Sequence, residues 1–280
     1  MPELPEVETA RRVLEDGALH RRIADVDDTD TFVCRPHRPG DIRRALLGRE
    51  LTAARRRGKS LWLPTSAVDP SGTPGPDLGL HLGMSGVIVV TTAPGDGADA
   101  ANLVGGDTKN RQAAATRTGW QRFRLTFQDG GRLALIDARR LSRVRLDPEI
   151  AALGPDALGI TPAVFSSAMG HGSSPVKARL LDQAAVAGIG NLLADETLWL
   201  AKINPATRVN ALDRTEVDRL GRALRRALRS ATDKGGVHTG AVIAARLPGG
   251  RCPRCHAEMR HATVGGRSTW WCSREQAGRP

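Results

Sequence analysis

The 280-residue chain carries 41 Lys and Arg against 30 Asp and Glu, a net charge of +11, and 40% of its residues are hydrophobic. That balance excludes a disordered chain, and no apolar run approaches the ~20 residues of a membrane span. The opening MPELPEVETARR has no apolar leader core, and four cysteines, three of them in the last 29 residues, make no disulfide framework. A cytoplasmic protein of about two domains is expected, at ~150 residues per domain.

Residues 5–19 place Val7, Ala10, Val13 and Leu14 at helical spacing, with Pro5 suited to the first turn. Short strand-like stretches follow at Ile23–Val26, Thr31–Cys34, Leu51–Arg55 and Ser60–Leu63, punctuated by Gly and Pro. Residues 64–76 and 91–119 read as loops. Phe123, Leu125 and Phe127 alternate along one strand, and Asp129-Gly130-Gly131 turns it into a second, Arg132–Asp137. Beyond about residue 146 prolines mark a connector and helical periodicity takes over. Over 213–234, Val217, Leu220, Leu224 and Leu228 form an apolar stripe, and the surrounding arginines read mainly as a solvated face.

Five of the 41 basic residues are lysine, an arginine bias that a GC-rich genome produces by itself. Codon bias does not create an excess of cations, however. A sequence pI near 10.7 points to a polyanionic partner, most simply nucleic acid.

Three groups of residues carry chemistry. If Met1 is removed, Pro2 becomes a secondary amine, more basic than water but less protonated than a lysine, able to condense with a sugar C1′ as an iminium. Glu3 beside it is suited to move the protons. In 176–203, two helical segments flank Ala187-Gly188-Ile189-Gly190-Asn191, with Asn191 placed to cap the second helix, so the turn is either a phosphate site at a helix start or a plain helical hairpin that Asn191 only caps. Finally, Cys252-Pro253-Arg254-Cys255 is followed after sixteen residues by Cys272, and a four-cysteine zinc ribbon would want a cysteine at position 275. Glu275 stands there. His256 and His261 are nearby, so the site is either three cysteines completed by Glu or His, or a metal-free finger held by packing.

Taken together, MPELPEVETARR, RRRGKSLWL around Lys59, HLGMSG at 81–86, IDARRL around Arg139, LLDQAAVAGIGNLLADE and CPRC…VGGRSTWWC appear in order from one end to the other. This succession resembles the bacterial formamidopyrimidine-DNA glycosylase and endonuclease VIII family, and Leu4 places it nearer the formamidopyrimidine branch. The resemblance implies an α+β multidomain fold: an N-terminal β-sandwich with flanking helices (1–146), a helix-two-turn-helix domain (147–245) and a C-terminal β-hairpin zinc-finger-like module (246–280). It implies a monomer acting in the nucleoid on double-stranded damaged DNA. Its activity would be base excision followed by β,δ-elimination at the abasic site, with a catalytically weak or inactive damage-binding protein of the same fold as the alternative. Pro2 would be the Schiff-base nucleophile, Glu3 its acid–base partner and Lys59 a phosphate ligand beside the lesion. His81, Lys177, Asn191 and Arg267 would bind DNA, Met84, Arg139 and Leu141 would fill the gap left by the flipped nucleotide, and Cys252, Cys255, Cys272 and Glu275 would hold one zinc.

Three departures from the family pattern stand out. Leu141 occupies a position usually held by Phe, Glu275 replaces the fourth cysteine, and only fifteen residues separate Gly236 from Cys252. The short connection lacks length for a loop capping a damaged purine. Ring-opened purines, oxidised pyrimidines and abasic sites are therefore expected to be better substrates than 8-oxoguanine.

Overall fold

The computed structural model describes residues 2–69, 72–91, 102–106, 118–170 and 172–278. The chain divides into two compact units: Glu6–Ile150 with Pro2, and Glu3–Pro5 with the residues from Ala151 onward.

In the first unit, helix α1 (Leu4–Gly17) presents Val7, Ala10, Val13 and Leu14 to the core at the spacing the sequence shows. A five-stranded sheet has the order β1-β7-β8-β5-β6, and a four-stranded sheet the order β2-β3-β4-β9, with all pairings antiparallel. In the first sheet β1 is Ile23–Asp27, β5 Val87–Thr91, β6 Asn102–Gly106, β7 Gln121–Phe127 and β8 Arg132–Ile136. In the second, β2 is Arg55–Arg57, β3 Ser60–Thr65, β4 Gly75–His81 and β9 Arg143–Leu146. Strand β3 alternates Leu61 and Leu63 inward, β7 alternates Phe123, Leu125 and Phe127, and these side chains share one buried cluster with α1 and the short helix α2 (Asp41–Leu46). Period-two burial from both sheets into one core makes this a sandwich.

Some local expectations change. Thr31–Cys34 is a turn rather than a strand, because the Asp30 carboxylate accepts the N–H groups of Phe32 and Val33 at 3.1 and 3.0 Å and bends the backbone. Of the segment 51–55, Leu51 makes an isolated bridge to Thr65 and regular pairing begins only at Arg55. The segment 91–119 is not one loop: β6 lies inside it, while residues 92–101 and 107–117 fall outside the described residues.

The second unit contains α3 (Pro162–Met169), α4 (Val176–Leu181), α5 (Asn191–Ala201) and α6 (Arg214–Asp233). Helix α6 opens with a reciprocal capping box between Asp213 and Glu216 and buries Val217, Leu220, Leu224 and Leu228 against α5. Helix α5 is buried on nearly all sides from Leu193 to Trp199 and so is no amphipathic surface element. The hairpin of β10 (Met259–Val264) and β11 (Arg267–Cys272) turns through Gly265 and Gly266, both at positive φ, and packs Met259 and Cys272 against Trp199 and Val242.

Candidate functional site

Within the second unit, Glu3 is fully buried against the start of α5. Its Oε2 accepts the N–H of Gly190 at 3.0 Å and of Leu193 at 3.1 Å, and its Oε1 accepts the N–H of Leu192 at 2.9 Å. These N–H groups belong to the end of a helix, where no intrahelical acceptor exists, so a carboxylate from the other end of the sequence replaces a local cap. Gly190, not Asn191, occupies the N-cap position, and Asn191 is the first helical residue. Gly190 is dictated by space: a Cβ there would lie 2.2 Å from Glu3 Cδ. The preceding turn is braced by Gln183, whose amide oxygen accepts the Gly188 N–H at 3.0 Å and whose Nε2 donates to the Leu181 and Ile189 carbonyls.

Asn191 turns its side chain outward from that cap, and its Nδ2 donates to the Ser268 carbonyl at 3.0 Å. Lys177 is fully buried, and its Nζ donates to the same carbonyl at 3.2 Å, to Thr269 Oγ1 at 2.7 Å and to Asp195 Oδ1 at 2.7 Å. Burial pushes the Lys177 ammonium below its usual range, with Asp195 opposing that shift. Asp195 also accepts from Arg246 Nε at 2.9 Å. The result is that Arg267, exposed at the start of β11, stands on a hairpin fixed from beneath by Lys177 and Asn191. The hairpin sits close enough that a Cβ on Gly265 would come within 2.9 Å of Ala178 Cα.

The thiols of Cys252, Cys255 and Cys272 and the Glu275 carboxylate offer ligand atoms all within 4.8 Å of one another. Cys255 Sγ and Cys272 Sγ are 3.4 Å apart, near the ~3.8 Å edge of a tetrahedron with 2.3 Å zinc–sulfur bonds. Burial pushes the Cys252 thiol up, but N–H donors from Trp199, Arg254 and Cys255 outweigh it and bring it to about 7, while burial pushes the neighbouring Cys272 thiol up, so of these two it is Cys252 that gives a thiolate most readily. These four side chains could hold a metal ion such as zinc. Glu275 does carry other partners, Arg254 Nε at 2.6 Å and Lys202 Nζ at 3.0 Å. His261 is outside the cluster: it stacks on Trp270 with centroids 4.5 Å apart and meets Ser268 Oγ at 2.9 Å.

Within the first unit, Lys59 follows Gly58, at φ 58°, in the two-residue turn from β2 to β3. Arg56 supports this turn by donating to the Gly58 carbonyl at 3.0 Å while its Nε pairs with Glu8 Oε2 at 3.0 Å. His81 pairs across the sheet with Ser60 on one side and Arg143 on the other. His81 is exposed at the end of β4, and the partial loss of water around its ring, followed by the charges of Lys59, Arg143 and Arg145, pushes its imidazole below its usual range. Its Nδ1 accepts the Gly83 N–H at 3.1 Å.

Met84, Arg139 and Leu141 come from two loops that a single carboxylate ties together. Asp137 Oδ1 accepts from Ser85 Oγ at 2.7 Å and Arg139 N at 3.0 Å; Oδ2 accepts from Leu141 N, Ser142 N and Ser142 Oγ at 2.8, 2.8 and 2.7 Å. Burial pushes the Asp137 carboxyl up, and these donors more than reverse it, leaving it below the usual carboxylate range. The loops touch through backbone, since a Cβ on Gly83 would lie 2.4 Å from the Leu141 carbonyl carbon. Met84 and Arg139 are left exposed and Leu141 half-buried. Sequence reasoning missed Asp137: its spacing, two residues before Arg139 and five before Ser142, fits a local turn, but the contact to Ser85 that joins the two loops carries no local signal.

The chain matches the formamidopyrimidine-DNA glycosylase N-terminal domain over residues 1–144 and the H2TH domain of the same enzymes over 153–241. It is 33% identical to formamidopyrimidine-DNA glycosylase of Parafrankia sp., covering 97% of this chain and 96% of the relative. The chain belongs to the formamidopyrimidine-DNA glycosylase family. The Mycobacterium ulcerans member is 34% identical, covering 99% and 98%. A crystal structure of Lactococcus lactis Fpg in complex with DNA containing an abasic site superposes with a TM-score of 0.76 at 26% identity, covering 98% of this chain and 99% of that one. Beyond the matched domains, β10 and β11 form a C-terminal hairpin, and no described helix is long and apolar enough to cross a membrane.

Proposed function

We propose that this chain is a bifunctional enzyme that excises oxidised or ring-opened bases from duplex DNA and then cleaves the abasic strand by β,δ-elimination. The observation that carries this reading is the fixed carboxylate of Glu3, held by three backbone N–H groups directly beside Pro2 in sequence. With Met1 removed, the Pro2 nitrogen attacks C1′, forming an N–C bond as the damaged base departs with a proton. Opening of the sugar ring gives the iminium. Loss of a C2′ proton then expels the 3′ phosphate, and a second elimination expels the 5′ phosphate. Glu3, immobilised so that its carboxylate neither rotates nor wanders, supplies and receives protons at the sugar.

Lys59 and His81 in the first unit, and Asn191 and Arg267 in the second, contact phosphates, whereas Lys177, expected to bind DNA itself, is fully buried with its ammonium on Asp195, Ser268 and Thr269 and acts by holding the hairpin that bears Arg267. Met84, Arg139 and Leu141, clamped by Asp137, occupy the space of the flipped nucleotide. Cys252, Cys255, Cys272 and Glu275 hold one zinc, which when bound fixes the hairpin and takes no part in bond breaking. The preference is for ring-opened purines, oxidised pyrimidines and abasic sites over 8-oxoguanine. In support, the short connection after α6 makes only single 3-10 turns at Val237–Thr239 and Ile243–Ala245. It is pinned by the Ala241 and Val242 N–H groups on the Glu196 carboxylate at 3.0 and 2.9 Å, leaving little chain to form a lid.

Borohydride reduction on abasic-site DNA tests the reading. A covalent adduct is expected with protein whose intact mass shows loss of Met1, and none with Pro2→Gly. Absence of an adduct from processed wild-type protein would leave a damage-binding protein without lyase chemistry.

A further inference from the structure

Three of the four phenylalanines are at most 2% exposed, whereas Phe32 is 42% exposed. Its surroundings are equally unusual. Arg35 lies over the ring with its guanidinium carbon 4.2 Å from the centroid, and Arg143 and Arg140 stand at 5.2 and 5.8 Å. The turn bearing Phe32 is held rigid. Asp30 accepts its N–H, Asp30 also binds Arg140 through two contacts at 2.8 and 3.0 Å, and the Val33 carbonyl accepts the Val144 N–H at 3.0 Å. The ring is therefore an exposed feature on a fixed support beside the 139–143 segment.

The charge around it is incompletely balanced. Asp30 neutralises Arg140, but neither Arg35 nor Arg143 has a carboxylate partner among the described residues. Burial, then the neighbouring cations Arg35 and Arg145, pushes the Arg143 guanidinium below its usual range against the weaker opposing charge of Asp137, and its Nη1 donates to the Ser142 carbonyl at 2.6 Å. Like charges packed around an exposed aromatic ring are costly unless an anion joins them, and an aromatic face amid cations suits a base with its phosphate. A carboxylate-rich peptide would satisfy the cations but leave the ring exposed. An intact duplex would meet the cations but offer no base face to the ring.

We infer that Phe32, with Arg35 and Arg143, forms a subsite for an unstacked nucleotide, its base against the Phe32–Arg35 platform and its phosphate on Arg143. The subsite takes single-stranded or locally unpaired DNA with little sequence preference, because every base has a stacking face. It rests on the reading of the chain as a DNA enzyme only for the identity of the strand, and needs neither Pro2 nor Glu3.

The test measures affinity of the full-length protein for a fluorescein-labelled twelve-nucleotide thymidine oligomer and for an intact duplex of equal length. Phe32→Ala and Phe32→Leu are each expected to weaken single-strand binding about tenfold, with Phe32→Trp close to wild type and duplex binding unchanged. Arg143→Gln should reduce the log–log salt slope for the oligomer by about 0.7, whereas Arg35→Gln should weaken single-strand binding with a smaller change in slope. Thermal unfolding of each variant controls for misfolding, and Phe32→Leu, which keeps the apolar volume, separates stacking from packing. Wild-type affinity in Phe32→Leu would overturn the subsite, as would equal losses on strand and duplex. So would a loss confined to binding of an oligoglutamate peptide. Borohydride trapping on abasic duplex, run alongside, reports the lyase independently: its failure in wild-type protein with single-strand losses intact would remove the proposed reaction and leave the subsite.

Discussion

Glu3 and Gly190 are separated by 187 positions and meet so closely that the Gly190 N–H donates to Glu3 Oε2 at 3.0 Å, where any side chain on residue 190 would collide with the carboxylate. The end of α5 and the residue beside the proposed nucleophile are thus one piece of structure. Gly190→Ala must push Glu3 away or distort the turn, costing about 1–3 kcal/mol by overpacking. Urea unfolding should register that loss, and borohydride trapping should fall by at least tenfold. Normal trapping in a destabilised Gly190→Ala would show that the position of Glu3 is unimportant to the chemistry.

Asp137 holds two loops by five hydrogen bonds, so Asp137→Asn, which offers an NH2 group where donors already point, should cost about 2–4 kcal/mol. Preference for abasic over undamaged duplex should shrink, because Met84, Arg139 and Leu141 lose their common support. Competition binding with the two duplexes measures this directly.

The lowered His81 value gives stability a definite pH dependence. A histidine depressed on folding binds fewer protons in the native state than in the unfolded chain. Its contribution is therefore complete above about pH 6.5, the unfolded value, and is lost as pH falls through the lower native value. Protonating Nδ1 also breaks the Gly83 contact. Urea midpoints at pH 7 and pH 5 should converge in His81→Gln relative to wild type. Asp137, also depressed, acts in a separate window at and below about pH 4.

For the finger, metal analysis of protein purified without chelator should give about one zinc per chain, and chelation should lower the melting temperature. Glu275→Ala should weaken zinc retention while leaving the three thiols titratable. Full retention in Glu275→Ala would assign the fourth ligand elsewhere, and near-zero zinc with DNA binding intact would establish a finger held by packing.

DNA affinity should be dominated by phosphate contacts, with a log–log salt slope of roughly −5 if five or six phosphates are neutralised. Arg267→Ala should lower that slope by about 1 and weaken damaged and undamaged duplexes alike, since phosphate contacts carry no sequence information. Fluorescence anisotropy across a salt series is the measurement.

What the sequence by itself determined was the strongest of the short-range periodicities and turns. The apolar stripe of α6, the alternation of Phe123, Leu125 and Phe127, and the Asp129-Gly130-Gly131 turn follow from side-chain spacing and from backbone conformations that glycine adopts easily. The ordered motifs were likewise enough to place the chain in its family. Tertiary structure decided which groups meet over long separations. Nothing near Glu3 in the chain marks it as the cap of a helix starting at Asn191, and nothing near Lys177 marks it as a buried ion pair with Asp195 beneath the finger hairpin. It also separated Glu275 from His261, both of them candidates for the fourth ligand, because the hairpin register turns His261 onto Trp270 while the turn after β11 carries Glu275 back to the thiols. Local pattern reports how a segment bends and which face it buries; a polar group's partner depends on which distant segment the packed core brings to it.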